Sequence, residues 1–132
     1  MKKVFLGGTC NKSTWRDLII PMLTINYFNP VVDNWTKECM ERELRERENC
    51  DFCLYTITPK MTGVYSIAEV VDDSNKRPGK TILVMLRDDA DQTFSDSQWK
   101  SLGQVARMVI QNGGKVFDNL KSAAIYMNKG EQ

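Results

Sequence analysis

Short apolar runs and stretches of helical spacing alternate along the whole chain, and that alternation constrains the fold more than any other feature. The runs lie at residues 3–6, 25–28, 51–57, 81–86 and 115–117. After each of them, apolar residues recur every three or four positions, the period of a helix packed on one face. The runs at 51–57 and 81–86 are apolar almost throughout, as strands buried on both faces of a parallel sheet are. Strand and helix repeated in this way predict an α/β fold, a doubly wound five-stranded parallel sheet with helices on both faces. The expected strand order is 2-1-3-4-5, the flavodoxin-like arrangement, with its switch point between the first and third strands. No internal repeat or linker interrupts the pattern, and residues 1–132 read as a single domain.

Local signals punctuate the elements. Thr14-x-x-Asp17 reads as a capping box opening the first helix, with Trp15, Leu18, Ile19, Met22 and Leu23 as its buried stripe. Pro21 should kink that helix or end it early. Asn29-Pro30 stops the second strand, and a second helix is expected over 36–48, carrying Glu38/Arg42 and Glu41/Arg45 one turn apart. Residues 87–94 read as an acidic loop. Ser95-x-x-Gln98 caps the next helix, buried through Trp99, Leu102, Val105, Ala106, Val109 and Ile110 and stopped by Asn112-Gly113-Gly114. The last helix is expected over 118–127, with Leu120, Ala123, Ala124 and Met127 at helical spacing.

Composition narrows the chemistry. A net charge of +1 gives no electrostatic footprint for nucleic acid or an anionic membrane, so neither partner is expected. No apolar run reaches transmembrane length and Met1-Lys2-Lys3 leads into a strand, so a cytoplasmic location is expected. The chain has no histidine, which excludes Ser-His, Cys-His and His-metal mechanisms. Any general acid or base is then a carboxylate, or less readily Lys, Tyr or Cys. Cys50-x-x-Cys53 has half-site spacing, but a zinc site would need Cys10 and Cys39 as well. The four cysteines read as buried or half-buried thiols, and no metal or cofactor is expected.

Two carboxylates stand out. After the third strand and the loop at 58–62, the stretch 63–71 places Val64, Ile67, Ala68 and Val71 on one helical stripe. Glu69 lies roughly 150° from the centre of that stripe. It can therefore be a plain solvated glutamate, or it can face the crevice at the carboxyl edge of the sheet, where ligands bind. In the second helix, taking Cys39, Met40 and Leu44 as the apolar stripe puts Glu43 inside it. A carboxylate there is costly unless paired or used, and Arg47 one turn on is a candidate partner. Gly7-Gly8-Thr9 follows the first strand and lets the backbone turn tightly against a ligand. The glycine loop and the Glu69 helix thus point at one crevice.

The ordered set Phe5-Leu6-Gly7-Gly8-Thr9, Trp15, Asn29-Pro30, Glu43-Leu44 and Ser66-x-x-Glu69 resembles the nucleoside 2-deoxyribosyltransferase-like family, in particular its small divergent branch, over residues 3–86. The resemblance implies chemistry at the N-glycosidic bond of a (deoxy)nucleoside. Glu69 would be the nucleophile, attacking the sugar C1′ to form a covalent glycosyl-enzyme from which a second base takes the deoxyribose. Glu43 would handle a proton or hydrogen bonds of the base. Gly7, Gly8, Thr9, Gly63, Tyr65 and Ser66 would line the sugar and base pocket, with Trp15 and Trp35 as its walls. The resemblance further implies a homo-oligomer, dimer or higher, in which Asn119 or Asp118 of a neighbouring subunit completes the site. The partners would be a small-molecule nucleoside or nucleotide and a free base.

Two family features are absent: the Asp of Asp-x-Gly before the nucleophile, replaced in Pro59-Lys60-Met61-Thr62-Gly63, and a first-strand Tyr, here Phe5. Two other readings stay open. One is a nucleoside 5′-monophosphate N-glycosidase whose phosphate sits on Lys12, Ser13, Thr14 and Arg16. The other is a degenerate module that binds a nucleotide or flavin without turnover.

Overall fold

The computed structural model of the chain describes residues 1–10 and 12–129. Its elements follow in the order β1 (Lys3–Gly8), α1 (Trp15–Ile19), β2 (Asn26–Phe28), α2 (Lys37–Asn49), β3 (Phe52–Ile57), α3 (Tyr65–Lys76), β4 (Thr81–Met85), β5 (Asp88–Asp89), β6 (Gln92–Thr93), α4 (Asp96–Gln111), β7 (Lys115–Phe117) and α5 (Leu120–Asn128). Five strands form one parallel sheet in the order β2-β1-β3-β4-β7. This is the expected order, with β7 as the fifth strand because a small hairpin intervenes.

Side-chain alternation along the strands assigns the two faces. Val4, Leu6, Leu54, Ile82 and Val84 pack with Trp15 and Ile19 of α1 and Ala123, Ala124 and Met127 of α5. Phe5, Cys53, Tyr55, Ile57 and Leu83 pack with Val70 of α3 and Leu102, Ala106 and Val109 of α4. The Ser95 hydroxyl accepts from Gln98 N at 3.1 Å and the Gln98 side chain answers at Ser95 N at 2.9 Å, completing the expected box. Ser95→Ala is expected to cost about 1 kcal/mol of stability, read from urea midpoints.

Several local expectations are corrected. The acidic loop is a hairpin: β5 pairs antiparallel with β6, Ala90 turns with φ 56°, and Thr93 Oγ1 donates to Asp88 at 2.5 Å. Thr14 makes no capping bond, and α1 passes into a 3-10 turn at Ile20–Met22 that contains Pro21. The buried face of α1 is Trp15, Arg16 and Ile19, while Leu18 is exposed, as is Ile110 at the end of α4. Cys10 is exposed, not buried.

The largest corrections concern α2 and α3. Met40 and Leu44 are exposed; the inward edge of α2 carries half-buried Glu43, with Arg47 fully inside. Helix α3 continues to Lys76, past the stretch 63–71 whose spacing marked it. Its buried face is Glu69, Val70, Asp73 and Ser74, and Val64 stands exposed at its start. Glu69 is therefore on the packed side of its helix. A hydrophobic stripe mislocates the inner face because that face is polar and its charges are met by partners from elsewhere in the chain.

Candidate active site

The switch point lies where β1 and β3 run side by side, Gly7 opposite Tyr55 and Gly8 opposite Thr56. Both glycines are forced by crowding. A Cβ on Gly7 would lie 2.7 Å from the Tyr55 ring, and one on Gly8, at φ +115°, would lie 2.3 Å from the Thr56 carbonyl oxygen. Thr9 then ties the two loops together: its N–H donates to Thr56 O at 2.9 Å, and its hydroxyl accepts from Thr58 N at 3.0 Å.

Arg16 and Trp15 fasten the same turn from below. The Trp15 indole N–H and Arg16 Nη1 both donate to Thr9 O at 2.7 Å, and Arg16 Nε donates to Leu6 O at 3.0 Å. Burial pushes the Arg16 guanidinium below its usual pKa. Its donors are spent on backbone carbonyls, which is what a buried cation beside a sharp turn requires.

Above this floor opens a cavity of about 390 Å³. That is at the small end of the ligand-pocket range, about 300–1,000 Å³. One wall is the loop Pro30, Val31, Val32 and Trp35; the other is Met61, Thr62, Gly63, Tyr65 and Ser66; Phe5, Gly7, Gly8, Thr9 and Cys10 close the base. Glu43 and Glu69 enter it from α2 and α3. The walls are largely apolar, with two carboxylates as the converging polar groups.

The two acids differ in setting. Glu43 is half-buried and its Oε2 accepts from the Trp35 indole N–H at 2.8 Å, which stands the exposed Trp35 ring at the mouth. Glu69 is 9% exposed, and Arg47 Nη1 stands 3.6 Å from its Oε2. Burial drives its pKa up, the Arg47 charge pulls it down, Glu43 and Asp73 push it up again, and the balance lies at about 7.

Behind Glu69 lies a buried polar cluster. Arg47 donates through Nη2 to Asp73 Oδ1 at 2.8 Å and through Nε to Asp73 Oδ2 at 3.3 Å. Asp73 also accepts from the Tyr55 hydroxyl and from Arg77. Burial alone would lower the Arg47 pKa, but the Asp73 bond and the surrounding charges outweigh it and raise it. Burial and the Asp73 charge raise the Tyr55 pKa, so the phenol stays a donor. Burial likewise pushes Cys50 and Cys53 up to about 12, which leaves them as thiols at neutral pH.

Of the residues singled out from sequence, Gly7, Gly8, Thr9, Glu43, Gly63, Tyr65, Ser66, Glu69 and Trp35 meet at the cavity. Trp15 does not; it is 1% exposed and belongs to the core. Asn119, expected to reach the site from a neighbouring subunit, caps α5 of its own chain by accepting from Ser122 N at 2.8 Å. Arg47, expected as a partner for Glu43, instead meets Asp73, Asp72 and Glu69, and sequence reading missed the roles of Asp73 and Tyr55. The Glu69/Asp73 spacing of one helical turn was the available signal, but nothing local ties it to Arg47.

Among the described residues no group of three or more acidic, Cys or His side chains could hold a metal ion, and no helix is long and apolar enough to cross a membrane. A family model described as nucleoside 2-deoxyribosyltransferase like matches residues 1–90 of the 132. The matched part contains every residue of the cavity. A comparison with curated proteins finds no match.

Proposed function

The chain belongs to the nucleoside 2-deoxyribosyltransferase-like family, and from that premise we propose that it transfers 2-deoxyribose between nucleobases through a covalent ester on Glu69. The observation that carries the reading is the Glu69 carboxylate itself, 9% exposed at a nucleoside-scale cavity on the switch point.

A carboxylate oxygen of Glu69 attacks C1′ as the bond from C1′ to the base nitrogen breaks. The electron pair leaves with the base, which takes a proton from solvent. A nitrogen of the incoming base then attacks C1′ and gives up its proton to solvent, and the pair of the ester bond returns to Glu69. Two inversions give net retention. The apolar walls flank the base, Trp35 offers it a ring face, and Glu43 accepts hydrogen bonds from its N–H groups.

A nucleoside fits better than a 5′-monophosphate. Arg16 is committed to backbone carbonyls, the Ser13 hydroxyl donates to Asp89 at 2.6 Å, Thr14 caps nothing, and α1 is only five residues long. None of these groups is arranged as a phosphate cradle. Exposed Val31, Val32 and Trp35 at the cavity, with Met40 and Leu44 exposed on α2, support a homo-oligomer of dimer size or larger.

The test is to incubate the protein with deoxynucleosides and free bases and follow base exchange by chromatography. Because Glu69 must be ionised to attack, kcat/KM is expected to rise with pH through about 7 and level off above it. Absence of both exchange and base release, with Glu69→Ala indistinguishable from the unmodified protein, overturns the reading.

A further inference from the structure

We propose that Arg47 is a positioning residue of this site: anchored on Asp73, its guanidinium fixes the Glu69 carboxylate at the cavity and supplies the charge that keeps it a nucleophile. This rests on Glu69 being the attacking group.

The geometry assigns the two edges of the guanidinium different tasks. Nε and Nη2 grip both oxygens of Asp73, at 3.3 and 2.8 Å. That fork fits a carboxylate in one orientation only. Asp73 is itself immobile, 0% exposed and bonded to Tyr55 and Arg77. Nη2 also reaches Asp72 at 3.3 Å. The remaining nitrogen, Nη1, is left toward Glu69 at 3.6 Å. Arg47 thus comes from α2 and lies 6% exposed behind a carboxylate of α3. It can act on the reacting group without touching a sugar or base.

Charge balance gives the contact a function in both halves of the transfer. With Glu69 ionised, the ion pairs join Arg47, Lys76 and Arg77 to Glu69, Asp72 and Asp73, three charges against three. Once Glu69 is an ester, one positive charge is uncompensated beside it. That excess favours the carboxylate as a leaving group when the second base attacks. Among the described residues, Arg47 and Glu43 from α2 and Asp73 on α3 act on Glu69, Arg16, Cys10 and Tyr65 line the same cavity, and Tyr55 from β3 stands behind Asp73. Arg47 is the cation in contact with Glu69.

The experiment is a carbon-13 titration of the Glu69 side-chain carboxyl, alongside the pH profile of base exchange, in Arg47→Lys, Arg47→Met and Arg47→Met/Asp73→Asn. The double variant removes the buried pair together, so a fold lost by stranding one charge is recovered. In the unmodified protein the carboxyl should titrate at about 7. Arg47→Met is expected to titrate higher by about one pH unit or more, with the activity profile moving the same way; the double variant, which also loses the raising charge of Asp73, should move in the same direction by less. Arg47→Lys should fall between, since it keeps charge and loses the fork. Folded variants that retain exchange but show neither movement overturn the Arg47 inference alone. Absence of exchange in the unmodified protein overturns the transfer chemistry and the inference resting on it, even where the titration moves.

Discussion

Glu69→Gln is expected to lose base exchange by about 10⁴-fold or more while making the protein more stable at alkaline pH. The first effect follows because an amide cannot form the glycosyl ester. The second follows from burial. The folded protein holds the Glu69 proton up to about 7, whereas the unfolded chain releases it near the ordinary 4.5. Between those values the native state binds more protons than the unfolded one. Stability contributed by this group therefore falls as pH rises from about 4.5 through about 7. The cost above that window is about 3 kcal/mol, and the amide, neutral at every pH, avoids most of it. Urea unfolding near pH 8 should show Glu69→Gln ahead by about 1–3 kcal/mol, and near pH 4 the two proteins should coincide. A variant less stable at pH 8 would mean that the Arg47 contact outweighs the burial cost.

Asp73→Ala is expected to be the most damaging single change in the polar cluster, costing about 3–5 kcal/mol. Asp73 is fully buried and receives Arg47, Arg77 and the Tyr55 hydroxyl. Its removal strands a buried guanidinium and a buried phenol, each without its main acceptor. The remaining carboxylates do not replace it: Asp72 is partly in solvent and Glu69 stands at 3.6 Å. Urea midpoints read the loss. Replacing Arg47 and Asp73 together by Met and Leu should cost less than Asp73→Ala alone, because no charge is then left unmatched. A loss below about 1 kcal/mol for Asp73→Ala would show that water reaches the cluster.

How far the site was legible can be judged residue by residue. Gly7, Gly8 and Thr9 are conspicuous because two glycines at a strand end demand an explanation, although the structural one is the closeness of Tyr55 and Thr56. Glu69 was placed at the crevice by the right topology but the wrong wheel. Its helix buries a polar face, and apolar periodicity has no term for Asp73 and Ser74 pointing inward. Trp15 misled in the opposite direction, since an indole whose N–H is satisfied by the backbone is core, not wall.

By itself the sequence determined the alternation of strand and helix, the parallel sheet and its order, the Ser95 cap, and the absence of any histidine-based chemistry. These depend on residues near one another in the chain, through periodicity, capping and composition. Only the tertiary structure decided that Arg47 meets Asp73 and Glu69, that Arg16 is spent on carbonyls, and that Trp35 stands on Glu43. Arg47 and Asp73 are 26 residues apart. What joins them is the reach of the Arg47 side chain from α2 to α3, and a charge buried from one helix leaves no local mark that its partner lies on the next.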